Sequence, residues 1–119
     1  MKNILQIILI TIFSISIVSC SDDDKKTTTA SGLFVVVGTG GTILTSSDGT
    51  TWTSRTSGTS NGLYNIFYGN STIVAVGGSG TILTSSDGTT WTSRTSGTSE
   101  NLYGITYGNS TFVVVGDND

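Results

Sequence analysis

The chain has no histidine, no proline, one cysteine and only 11% charged residues among its 119. Each shortage excludes something. Without histidine there is no Ser-His-Asp triad, no imidazole metal ligand and no side-chain switch of ordinary pKa near neutrality. The single cysteine, Cys20, has no partner for an intramolecular disulfide. Aspartates occur one to a turn at Asp48 and Asp87, too few for a calcium loop, which needs several oxygen side chains at set spacing. No cofactor and no metal are therefore expected. Five basic against eight acidic side chains give a net charge of −3. That balance argues against a nucleic-acid partner, which needs clustered Lys and Arg to neutralise phosphates. Beyond the first 20 residues no stretch has helical periodicity, and β-branched Thr, Val and Ile dominate, so an all-β fold is expected.

The N-terminus carries its own pattern. Met1-Lys2-Asn3 bears one positive charge, and Ile4 to Val18 is apolar except for Gln6, Thr11, Ser14 and Ser16. A membrane-spanning helix needs about 20 apolar residues, so this shorter run suits the core of a signal peptide. It ends in Ile17-Val18-Ser19-Cys20, which resembles the lipobox of bacterial lipoproteins. The resemblance implies removal of residues 1–19 and a diacylglycerol thioether on Cys20, with a further acyl chain such as palmitate on its new amine. Two or more acyl chains make membrane attachment stable. The expected location is a bacterial membrane, the outer membrane by preference, facing either the periplasm or the cell surface. Residues 20–32, with Asp22-Asp23-Asp24-Lys25-Lys26 and Thr27-Thr28-Thr29, form a polar tether with too little apolar surface to fold.

From residue 33 onward the chain repeats itself without gaps. Residues Phe34–Thr72 and Ile73–Thr111 differ at only 8 of 39 positions, and a third copy begins at Phe112 and matches Phe34–Gly38 as far as Gly116. A period of about 40 residues points to propeller blades or another repeat array. Each repeat carries four strand signals. Leu63–Tyr68 alternates, Ile73–Val76 is apolar on both faces as in a strand sandwiched between sheets, and Thr81–Thr84 and Trp91–Thr95 complete the set. The expected architecture is all-β, with two 39-residue, four-stranded, propeller-type repeats (33–72 and 73–111) and a partial third (112–119), together an incomplete propeller.

Ser46-Ser47-Asp48-Gly49-Thr50-Thr51-Trp52 and Ser85-Ser86-Asp87-Gly88-Thr89-Thr90-Trp91 resemble the Asp-box, or BNR repeat, of sialidase-like and photosystem II assembly factor-like propellers, one residue shorter than the usual box. The resemblance implies a structural turn in which Asp48 and Asp87 accept backbone N–H groups. Ser46, Gly49, Thr51 and Trp52 would support the first turn, and Ser85, Gly88, Thr90 and Trp91 the second. A sialidase-like site would need clustered arginines, and only Arg55 and Arg94 remain, so a glycosidase is the third reading and the chain is not expected to be an enzyme.

Binding residues are expected in loops. Four of the eight inter-repeat differences fall at Thr39/Gly78, Gly40/Ser79, Asn61/Glu100 and Gly62/Asn101, and rigid scaffolds commonly carry recognition on variable loops. The leading reading is therefore a membrane-anchored lipoprotein presenting propeller repeats to a protein or glycan. At 39 residues a blade, the four-blade minimum needs about 156 residues, whereas Leu33 to Asp119 supplies 87. Two further expectations follow from that shortfall: several copies closing one propeller, or a truncated or decayed fragment with no specific ligand.

Overall fold

Branching at Cβ restricts χ1 and suits a side chain to a pleated surface, and from residue 33 onward the runs rich in Val and Ile become strands. The computed structural model describes residues 8–12 and 32–118. Among them the regular structure is ten strands and one turn of 3-10 helix at Thr39–Gly41. The first sheet has the order β1 (Ile8–Ile12), β2 (Leu33–Val37), β3 (Ile43–Ser46), β4 (Thr53–Arg55). The second is β5 (Leu63–Gly69), β6 (Thr72–Gly77), β7 (Ile82–Ser85), β8 (Thr92–Arg94). The third holds only β9 (Leu102–Gly108) and β10 (Thr111–Gly116). Every pairing is antiparallel.

The hairpins in β5–β6 and β9–β10 turn on Asn70-Ser71 and Asn109-Ser110, four residues with positive φ between 48° and 59°. Paired positive φ values match the twist of the flanking strands. Gly69-Asn70, between the Leu63–Tyr68 and Ile73–Val76 runs, is the pair whose residue types most favour positive φ, but the turn sits one residue later because Gly69 still pairs with Thr72 as the last rung of the ladder.

The repeat is reproduced in the packing. Val35, Val37 and Ile43 of the first sheet meet Leu63, Ile66, Ile73 and Ala75 of the second. Thirty-nine residues later, Val74, Val76 and Ile82 of the second sheet meet Leu102, Ile105, Phe112 and Val114 of the third. Strand β6 is therefore covered on both sides: Ile73 and Ala75 face the first sheet, and Val74 and Val76 face the third. All four are buried.

The propeller expectation is corrected here. The fold is all-β, but its sheets are three open ones stacked in sequence, and none closes on itself. A propeller needs a ring of at least four blades. Here the third sheet stops at two strands, and Val113 and Val115 on its far face are 52% and 62% exposed. The assignment to a BNR or Asp-box propeller is thereby overturned, as is the function built on it, a propeller surface displayed for a protein or glycan ligand. The second sheet runs from Leu63 to Arg94, so a single sheet draws on both 39-residue repeats. Strand β1, within residues 1–19, pairs with β2, Leu9 opposite Val36, at the sheet position that β5 takes beside β6. Cys20 and all of the tether before residue 32 lie outside the described residues.

Candidate functional site

Three groups of residues come into question: the aspartate turns, the variable loops, and two grooves lined by hydroxyls and one arginine each. The aspartate turns bridge the third and fourth strands of each four-stranded sheet. The Ser46 hydroxyl donates to Asp48 Oδ1 (2.9 Å) and accepts from the backbone N–H of Gly49 (2.8 Å). Asp48 Oδ1 also accepts from the N–H groups of Thr50 and Thr51, both at 2.8 Å. The second turn repeats this, with Asp87 Oδ1 accepting from Thr89 (2.8 Å) and Thr90 (2.9 Å), and with Ser85 taking the place of Ser46. Trp91 bends back so that its indole N–H donates to the Gly88 carbonyl at 3.0 Å, and its ring packs against the first core. Trp52 instead meets Phe34 edge-on at 6.5 Å.

Charge-assisted bonds from backbone N–H groups favour the ionised carboxylate. The Thr51 and Thr50 N–H groups hold Asp48 far below the usual carboxylate range, and those of Thr90 and Thr89 lower Asp87. Neither carboxyl keeps a proton near neutrality, and in each the oxygen Oδ1 is occupied by its own turn. These are poor general acids and sound turn braces. The sign of the pH dependence follows. A carboxylate depressed below its unfolded value of about 3.9 contributes stability above that pH and loses it as pH falls through the folded value. The melting temperature should stay level from neutrality to about pH 5 and fall below about pH 4. In the Asp48→Asn, Asp87→Asn double variant the fall should be smaller. Parallel curves for the two proteins would refute the bracing role.

The variable loops do gather along one end of the stacked sheets. Gly78 N–H donates to the Gly62 carbonyl (2.9 Å), and Gly80 N–H donates to that of Glu100 (2.7 Å). Asn61 Nδ2 donates to Thr81 Oγ1 at 2.9 Å. Asn101 accepts from Ser79 N–H through Oδ1 and donates to Asp117 through Nδ2. Thr39 and Gly40 sit in the 3-10 turn and are exposed. Many of the varied positions are thus spent on tying one connection to the next. The sequence patterns do not single out Tyr64 and Tyr103, which stack at 5.2 Å between the second and third sheets. Their separation of 39 residues was the available signal. Partial desolvation, followed by the charge of Asp117, raises the Tyr103 hydroxyl above its ordinary value.

The grooves are repeat-equivalent. One, of about 190 Å³, is lined by Leu33, Thr45, Ser46, Ser47, Thr51, Thr53 and Arg55. The other, of about 260 Å³, is lined by Thr72, Thr84, Ser85, Ser86, Thr90, Thr92 and Arg94. Arg55 Nε donates to Thr45 Oγ1 at 2.8 Å, and Arg94 Nε donates to Thr84 Oγ1 at 3.0 Å. The two arginines stand in separate sheets, each bound to a threonine of its own sheet, and do not form the cluster a sialidase-like site requires. Among the described residues no group of three or more His, Cys, Asp or Glu side chains could hold a metal ion. Set against family models, curated proteins and solved structures, the chain matches none of them.

Proposed function

We propose that this chain is an exported lipoprotein, held at a bacterial membrane through lipid on Cys20, and that its all-β part is a non-catalytic structural module. The observation that carries the proposal is the apolar run Ile4–Val18 ending directly in Ile17-Val18-Ser19-Cys20, with a polar tether behind it. A chain carrying two acyl groups stays on the membrane without a spanning helix. The lack of histidine and the engagement of Asp48 and Asp87 in their own turns support a structural rather than a catalytic role. In this reading processing before Cys20 removes β1, and the mature first sheet is β2–β4. The outer membrane is the proposed destination.

Metabolic labelling tests it. Cells given a clickable palmitate analogue should label the wild-type chain and not Cys20→Ala, and the variant should leave the membrane fraction. Equal labelling of both chains, or no labelling of the wild type, overturns the proposal.

A further inference from the structure

We infer that the groove beside Arg55 is a binding site for a small oxyanion, a carboxylate or a phosphate group, which the guanidinium grips end-on. The starting observation is where the chain keeps its positive charge. From residue 33 onward the only basic side chains are Arg55 and Arg94, and each stands in one of the two hydroxyl-lined grooves.

Arg55 pairs with Ile43 across the ladder, and Thr53 with Thr45. Residues directly opposed in an antiparallel pair share a face, so Arg55, Thr53 and Thr45 lie on the face whose Val35 and Ile43 meet the second sheet. Arg55 is half-buried there. Its Nε donates to Oγ1 of Thr45, a residue 2% exposed, and this is the one side-chain bond the guanidinium makes among the described residues. Asp48, the one carboxylate among the described residues of that sheet, is bonded to its own turn instead. A guanidinium carries five N–H donors in a rigid fork. With Nε spent and the group steadied by a buried threonine, the two terminal nitrogens remain to hold two oxygens of one ligand, the geometry that carboxylates and phosphates accept. The hydroxyls of Ser47, Thr51 and Thr53 line the same groove and can donate to further oxygens. At about 190 Å³ it takes a small anion or the charged end of a larger molecule.

Neither end of the described chain creates the opening. The Arg55 groove is on a face met by a four-stranded sheet, so the shortness of the third sheet does not produce it. The Arg94 groove is built from Thr72 and residues 84–94, far along the chain from the segment before residue 32, and keeps the same arrangement. Six of the seven lining positions carry the same residue, Leu33 alone being replaced by Thr72. Arg94 is exposed, however, and an exposed charge is screened more than a half-buried one. Arg55 is therefore the stronger of the two sites. The inference goes beyond the structural role proposed above and does not depend on the lipid anchor.

Nuclear magnetic resonance tests it. Arg55 and Arg94 are the only arginines in the chain, so the full chain, made with isotope-labelled arginine and kept in detergent, gives two Nε–H signals, and Arg55→Lys assigns them. Sodium phosphate and sodium acetate are added in separate titrations, with chloride holding the ionic strength constant. The Arg55 signal should move along a saturable curve that is half complete on the order of millimolar anion, as one forked contact allows. Saturation with either anion supports the inference, and the anion that saturates tells a planar ligand from a tetrahedral one. Thr53→Asp sets a competing carboxylate two residues away on the same face and should raise the half-saturating concentration by about tenfold or more. An Arg94 signal that keeps its starting position shows that this variant is folded. A shift that stays linear with both anions, or saturation undiminished in folded Thr53→Asp, overturns the inference.

Discussion

Replacing Gly80 with alanine is expected to cost about 3–5 kcal/mol of folding stability, a large share of what a domain of this size has. Gly80 has φ of +66°, and a Cβ built on it would fall far inside contact distance of the Thr98 carbonyl oxygen and close to the Ser96 hydroxyl. Its N–H also donates to Glu100 at 2.7 Å, which pins the strand connection to the loop that follows β8. A carbonyl oxygen of the backbone cannot swing aside as a side chain can, so the connection itself must move. Gly97 separates the two contributions. Its φ is +82°, but no atom lies within 4 Å of the place a methyl group would take there. Gly97→Ala should therefore show only the cost of left-handed backbone, about 1 kcal/mol. Gly41, the repeat equivalent of Gly80, opposes Thr59 in the same way at φ +72° and should behave like Gly80. Denaturant unfolding of the three variants measures this. Similar losses for Gly80→Ala and Gly97→Ala would show that the close approach to Thr98 does not hold in solution.

The second large effect compares one residue type at one repeat position in two settings. Ile66 is 0% exposed in the core between the first and second sheets. Ile105, 39 residues later, is partly buried between the second and third. Ile66→Ala should cost about 3–4 kcal/mol, since it leaves a cavity lined on every side. Ile105→Ala should cost about 1–2 kcal/mol, because water already reaches part of the site and can fill the space. Equal losses would mean that the two-stranded third sheet is as well covered as the four-stranded second.

Much of the local structure was legible because it depends on short stretches. Asn70-Ser71 and Asn109-Ser110 lie in a turn signal between alternating runs, and strands form on either side of each. The Ser-x-Asp-Gly pattern at Ser46 and Ser85 needs only its own hydroxyl, carboxylate and backbone to close. The candidate site was less legible. Arg55 and Arg94 read as plain strand residues, and their grooves exist only because β4 and β8 turn back along Thr45 and Thr84. The varied loop positions were recognised as a set, but their mutual hydrogen bonds come from connections 20 or so residues apart in sequence, as with Asn61 and Thr81. The strand at Ile8–Ile12 was not legible, since an apolar run without alternation reads as a leader core and says nothing about a sheet edge.

By itself the sequence determined that the chain from residue 33 onward is all-β, where its turns fall to within a residue, and that whatever packing one repeat makes the next can make again. These follow from β-branched side chains, from positive-φ residues at fixed spacing and from a 39-residue copy. Only the tertiary structure decided how many sheets stack, that they stay open, and which valines are covered. Val76 and Val115 occupy equivalent positions in equivalent strands, yet one is sealed and the other is 62% exposed. Burial is a property of what lies across the interface, and no local pattern states whether a neighbouring sheet is there.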